Sequence, residues 1–299
     1  MDNGFVTFVK GHGTENDFVL LPDPGDRLDL RPELVRALCD RRAGIGADGV
    51  LRVVPAAEGS GARWFMDYRN ADGSIAEMCG NGVRVYARYL VDAGMAEPGE
   101  LMLATRGGLR AVRVPETGDV TVDMGTPQLL TDSPVVAGRP GVAISMGNPH
   151  VVVRVDDENS LDALDLSSPP VVEPALPDGQ NVEFVVRSGR RRLTMRVHER
   201  GVGETRSCGT GVCAAVVATV AADGTGRGDE FQVQVPGGVL TVSWRTDGTV
   251  LLRGPAVLVG SGRLSAAWLR QAGHTSPSTD SSSGSAPVES GSVGSGSGS

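Results

Sequence analysis

Lysine is all but missing from this sequence: Lys10 is the only one, so nearly all positive charge is carried by arginine. An enzyme that uses pyridoxal phosphate needs a lysine to form its Schiff base. Lys10 stands at the end of an expected strand, Phe5 to Val9, with no phosphate-cradling turn beside it, so no cofactor of that kind is expected. An excess of positive charge is lacking too. The 28 basic residues face 36 acidic ones, a net charge of −8, which argues against a nucleic-acid partner. Long apolar runs are absent as well: the longest run of small apolar residues, Val212 to Ala222, is too short to span a bilayer. The opening "MDNGFVTFVKGHG" has no charged start followed by an apolar stretch, so no export signal is expected. Four cysteines in 299 residues do not make a disulfide scaffold, and a cytoplasmic location is expected.

What the chain does have is short alternating runs, among them "FVTFV", "RWFMDY", "RLTMRVHE", "FQVQV" and "LTVSW", set off by Gly, Pro and Asp turns. Period-two alternation predicts many half-buried strands. Three segments read instead as helices. Arg31 to Arg42 carries Pro32 in its first turn, with Leu34, Val35 and Leu38 on one side. Gly82 to Ala93 sets Val83, Tyr86, Ala87 and Leu90 along one stripe, and "GVCAAVVATVAADG" is apolar or small all round. A helix apolar on every side is enclosed, and strands are the elements available to enclose it.

The third helix follows "SCGTGVC", and a second copy of that motif, "MCGNGVR", precedes the second helix. Asn70, ending "WFMDYRN", precedes Cys79 by the same interval as Glu199, ending "LTMRVHE", precedes Cys208. Strand, turn, cysteine, glycine turn and helix thus recur in one order, which duplication explains better than chance recurrence of glycine turns. The expected fold is α+β: two copies of one unit facing each other across a pseudo-two-fold axis, each a central helix sheathed by strands. The first domain is read as 1–117 with a return strand in 255–270, the second as 118–254. Residues 271–299, rich in Ser and Gly, are expected to be a disordered tail.

A helix N-terminus presents unpaired N–H groups and the positive end of the helix dipole, which favour thiolate and grip carboxylates. Two such mouths set against each other would clamp one carboxylate and place a sulfur on either side of the adjoining carbon. One thiolate removes the α-proton and the opposite thiol returns one from the other face, inverting the centre without a cofactor. Glu199, in phase with Leu193, Met195 and Val197, is a candidate for tuning one thiol, and His150, in "GNPHVVV", for tuning the opposite one. Cys39 and Cys213 read as buried apolar residues, His12 and His198 as ordinary polar positions. Cys208 and Cys213 lack short metal-ligand spacing, so no metal is expected.

Over roughly Phe5 to Gly262 the chain resembles the diaminopimelate epimerase family, through "GTENDF", "RRAGIGADG", "NADGSIAEMCGNGVR", "SMGNPH", "NVEF" and "HERGVGETRSCGTG". The resemblance implies two pseudo-symmetric domains, each a mixed β-barrel-like sheet around a central helix, with the site in the cleft between them. It also implies a homodimer that epimerises LL-diaminopimelate to the meso isomer, an amino-acid substrate on the way to lysine and peptidoglycan. It makes Cys79 and Cys208 the acid/base pair, with His150 and Glu199 adjusting them. Gly80, Asn81, Gly209 and Thr210 would hold the reacting carboxylate; Asn16, Asn70, Asn148, Asn181, Glu199 and Arg200 would hold the rest of the substrate. Two positions depart from the family pattern: Glu15 stands where glycine is expected, and Gly49 where some members carry glutamine. The rival readings are a proline or hydroxyproline racemase-like enzyme and a thiol/disulfide sensor.

Overall fold

The computed structural model describes residues 6–224 and 226–273. The first half comprises β1 (Val6–Gly13), β2 (Asn16–Pro22), α1 (Pro32–Cys39), β3 (Gly49–Pro55), β4 (Trp64–Asn70), α2 (Gly80–Asp92), β5 (Gly99–Thr105) and β6 (Gly108–Val114). A linking strand, β7 (Val120–Asp123), follows. Next come β8 (Gln128–Leu129), β9 (Val135–Val136), β10 (Arg139–Ser145), β11 (Pro149–Arg154), α3 (Glu158–Asp162) and β12 (Val172–Glu173). After these lie β13 (Asn181–Gly189), β14 (Arg192–Glu199), β15 (Gly203–Thr205), α4 (Gly209–Asp223), β16 (Glu230–Val235), β17 (Gly238–Trp244) and β18 (Val250–Gly254). Strand β19 (Val257–Leu264) and helix α5 (Ala266–Gln271) complete the described chain.

Duplication is written in the strand pairings. From β1 through β7 successive pairs run antiparallel, parallel, antiparallel, parallel, antiparallel, antiparallel. From β10 through β11, β13, β14, β16, β17 and β18 the same order recurs. In each half the second parallel pair needs a crossover, and a helix supplies it: α2 between β4 and β5, α4 between β14 and β16. The pairing of β7 with β18 joins the halves into one curled sheet, and β19 returns to pair with β1.

The inner faces wrap α2 and α4 in one continuous apolar core that includes Phe18, Leu51, Tyr86, Leu90, Val212, Val216, Leu240 and Leu252. Period-two alternation predicts strands wet on one side, yet the strands of the first parallel pairs, such as "DFVLL" and "NVEFVV", are buried on both faces, as parallel strands usually are. Helices α1 and α5 cover Val19, Leu21 and Val50 on the outer face of the first half. Leu161, Leu166, Val172 and Leu176 cover Val151, Val153, Val182 and Phe184 on the second.

Several expectations change in detail. Helix α1 stops at Cys39 because Asp40 Oδ1 accepts the N–H groups of Arg42 and Ala43, a local turn that competes with further helix. Helix α2 begins at Gly80, directly after the cysteine, and is buried all round from Gly80 to Leu90 rather than along one stripe. Two of its enclosed residues are arginines whose N–H groups reach backbone carbonyls, Arg88 to Glu116 and Gly118, and Arg84 to Gly80 and Pro255. His198 is buried rather than outward, in the strand register between Val182 of β13 and Glu204 of β15. The segment read as a return strand, 255–270, holds both β19 and most of α5. Gln271 ends that helix, so the expected disordered tail begins too early; from residue 274 it lies outside the described residues. Among those residues no helix is long and apolar enough to cross a membrane.

Candidate active site

Cys79 and Cys208 are the N-caps of α2 and α4, each in extended backbone with the first helical turn opening at the glycine that follows. The two first turns meet. A Cβ built on Gly209 would lie 3.1 Å from Cα of Gly80 and 3.2 Å from the Asn81 nitrogen. Only glycine allows the two helix ends this approach, so the chain brings the positive ends of two helix dipoles to one place. Gly209→Ala is accordingly expected to melt near the parent, because alanine favours helix, yet to lose about tenfold to hundredfold in kcat/KM as the mouths are pushed apart. Thermal melts beside steady-state kinetics check it, and unchanged kcat/KM would count against the contact.

On the first mouth, the Gly82 N–H donates to Cys79 Sγ at 3.5 Å, and Sγ lies 3.6 Å from Asn16 Oδ1. Asn16 is itself fixed by donation to Asp48 Oδ2 at 2.8 Å. Asn81 Nδ2 donates to Asn16 Oδ1 at 3.2 Å and across the halves to the Ser207 carbonyl at 3.1 Å. Burial pushes the Cys79 thiol up to about 11, against the pull of the Gly82 N–H. The lone lysine is committed elsewhere: Lys10 Nζ is held by Asp17 at 2.7 Å and by the Gly46 carbonyl. Although burial opposes it, Arg41 and Lys10 hold the Asp17 carboxyl at about 2.

On the second mouth, Cys208 Sγ lies 3.5 Å from Thr210 Oγ1, which accepts from Asn148 Nδ2 at 3.3 Å. Asn148 Oδ1 is 2.9 Å from His150 Nε2, and His150 Nδ1 is 2.7 Å from Glu183 Oε1. His150 and Glu183 are both fully buried. Glu183 was not singled out from the sequence, although it stands in "NVEF" in phase with Asn181 and Val185 toward the central helix. A Cβ on Gly211 would come 2.7 Å from its Oε1, so glycine is required there for the carboxylate to lie against the first turn of α4. Glu199, last residue of β14, accepts from Thr205 Oγ1 and faces Cys208. Burial raises the Glu199 carboxyl, and burial together with Glu199 and Glu183 pushes Cys208 well above the ordinary thiol range.

Of the remaining predicted ligand residues, Asn181 and Arg200 bond to each other and Asn70 bonds elsewhere. Asn181 Nδ2 donates to the Pro149 carbonyl at 3.0 Å while its Oδ1 accepts the Arg200 N–H at 3.0 Å, and the Arg200 guanidinium caps the Asp178 carbonyl. Asn70 bonds within its own turn, Nδ2 to Ser74 Oγ at 3.0 Å. Glu15 has φ +61°, the left-handed region that explains the expected glycine, and its charge is met by Arg206. At Gly49 no side chain fits, since a Cβ would lie 2.6 Å from the Arg69 carbonyl. Cys39 and Cys213 are buried away from these contacts, and among the described residues no three or more His, Cys, Asp or Glu are grouped to hold a metal.

The chain is 54% identical over 282 residues to a diaminopimelate epimerase of Streptomyces coelicolor, covering 88% of this chain and 97% of the relative. It is 50% identical over 287 residues to one of Rhodococcus jostii, covering 88% and 98%. Among solved structures, a phenazine biosynthesis protein of the PhzF family from Bacillus anthracis matches with a TM-score of 0.67 at 16% identity, covering 87% of this chain and 99% of that one. A hydroxyproline epimerase from Agrobacterium vitis matches with a TM-score of 0.64 at 17% identity, covering 88% and 93%. These two share the fold. The diaminopimelate epimerase family model matches residues 8–130 and 142–259, and with half the sequence shared across nearly the whole length of its relatives, the chain belongs to the diaminopimelate epimerase family.

Proposed function

We propose that the chain interconverts LL- and meso-diaminopimelate through Cys79 and Cys208 as a thiolate/thiol pair, without a cofactor. The observation that carries this reading is the contact of the two cysteine-capped helix ends at Gly80 and Gly209. The N–H groups of both first turns would bind the substrate's reacting carboxylate, with Gly80, Asn81, Gly209 and Thr210 as its seat. One sulfur then takes the α-proton while the other donates from the opposite face. Negative charge that develops on the carboxylate is met by the two helix dipoles in a largely water-free setting. His150 and Glu199 adjust the Cys208 side; Asn16, beside Cys79, with Asn70 and Asn148 takes remaining polar groups of the substrate, and Arg200, steadied by Asn181, suits the second carboxylate at its far end.

In this reading residues 1–117 with 255–270 act as one lobe and 118–254 as the other, the enzyme works as a homodimer, and it serves lysine and peptidoglycan precursor synthesis in the cytoplasm. Purified protein under reducing conditions, given LL-diaminopimelate, is expected to form the meso isomer up to an equilibrium mixture and to leave trans-4-hydroxyproline untouched. Turnover of hydroxyproline with none of diaminopimelate would transfer the chain to the racemase-like reading. Activity confined to the oxidised, cross-linked protein would favour the sensor. Sedimentation as a monomer at all working concentrations would remove the dimer.

A further inference from the structure

Arg84 heads the fully buried side chains by size, and its hydrogen bonds reach no carboxylate. Nη1 donates to the Gly80 carbonyl at 3.3 Å, Nε to the Pro255 carbonyl at 3.2 Å and Nη2 to Thr14 Oγ1 at 3.4 Å. A cation taken wholly out of water is costly unless a counter-charge accompanies it. The place chosen for this one is informative. Gly80 adjoins Cys79, and Thr14 Oγ1 lies 2.7 Å from the hydroxyl of Ser207, which adjoins Cys208. Asn81 closes the ring by donating to the Ser207 carbonyl. Room for the guanidinium exists because residue 13 is glycine, whose missing Cβ would lie 2.9 Å from Nη2.

We propose that Arg84 is a positioning residue for the epimerisation: through its bonds to Gly80 and Thr14, and through Thr14 to Ser207, its buried guanidinium holds the two cysteine-capped helix ends in register and keeps a positive charge beside the Cys79 mouth. The proposal rests on the reading of Cys79 and Cys208 as the acid/base pair. The groups around it agree. Arg84 is faced by Cys79, by Cys213 from α4 and by Asp119 ahead of β7. Cys79 is faced by Glu199 from β14 and Tyr68 from β4, both adding negative charge when ionised, and by the cation of Arg84. Burial pulls Arg84 down to about 10, which leaves it charged at neutral pH.

The test uses full-length Arg84→Met, which keeps length and loses charge, and Arg84→Lys, which keeps charge. The readouts are kcat, KM and the pH midpoint of Cys79 alkylation by iodoacetamide, followed by mass spectrometry. Arg84→Met is expected to lower kcat about 10²-fold, the size of effect of losing one preorganised charge-stabilising donor, with KM changed less than about threefold. Its Cys79 midpoint should rise by about one pH unit, and Arg84→Lys should recover about tenfold of the lost kcat and restore the midpoint. A folded Arg84→Met with the parent midpoint, or a lysine variant no better than methionine, would overturn the proposal. Should Arg84→Met fail to fold, Ser207→Ala decides: it keeps every charge and is expected to cost about tenfold in kcat with the Cys79 midpoint unmoved, and parent kcat would overturn the linkage. Alkylation of Cys79 that leaves turnover intact would instead defeat the acid/base pair itself.

Discussion

Cys208→Ser is expected to lower kcat by about 10³-fold or more, and Cys79→Ser to do the same, because in the proposed mechanism each removes one of the two proton-transfer groups. The serine hydroxyl is close in size, so the first turns of α2 and α4 should stay closed on each other. What changes is acidity. Burial already pushes Cys79 up to about 11 and Cys208 well above the ordinary thiol range, the N–H groups of the first turns bring each back only in part, and an alcohol starts far less acidic than a thiol. Cys213→Ser supplies the control. Cys213 is fully buried within α4 but one helical turn beyond the cap, so its replacement should cost stability of about 1 kcal/mol while turnover stays near the parent value. Steady-state rates and thermal melts of the three variants check this pattern. Equal activity of the capping and mid-helix variants would remove the special role of the N-cap thiols.

The second large effect is expected at Glu183. Replacing it by alanine breaks a fully buried pair and strands His150 Nδ1 among apolar neighbours, a loss of about 3 kcal/mol or more. Turnover should fall as well, since the chain from Glu183 through His150 and Asn148 to Thr210 ends 3.5 Å from Cys208 Sγ. Glu183→Gln keeps an acceptor oxygen for the imidazole and is expected to cost about 1 kcal/mol, within the range of a single hydrogen bond. Denaturant melts of both variants measure the difference. An alanine variant as stable as the glutamine one would show that the pair does not brace the second mouth.

Much of this was legible in the sequence, and the rest was hidden for physical reasons. The two cysteine-glycine motifs announce their helices, since a thiol ahead of two glycines at a helix start has few other uses, and the repeat of strand, turn and cysteine fixes the duplicated order of pairings. Glu199 could be picked out because a carboxylate in the apolar phase of β14 needs a purpose. The same reasoning applies to Glu183, yet β13 is buried on both faces and its phase carries less contrast, so the residue passed unmarked. His198 was missed for a related reason: an outer layer covers a sheet face that alternation alone predicts to be wet. Arg84 passed unmarked, because only tertiary structure supplies the carbonyls that let an arginine be enclosed. The Thr14–Ser207 contact joins residues 193 apart in sequence, and no local pattern carries such information.

The central claim is that two sulfurs work from opposite sides of one carbon, and the fate of the migrating hydrogen tests it most directly. With protein equilibrated in deuterated water and LL-diaminopimelate carrying ordinary hydrogen, initial-rate samples should contain meso product with deuterium at the inverted α-carbon. Unreacted LL substrate should remain unlabelled. Meso product that keeps its original α-hydrogen would mean one group moved it from face to face, and the paired-thiol account would be contradicted.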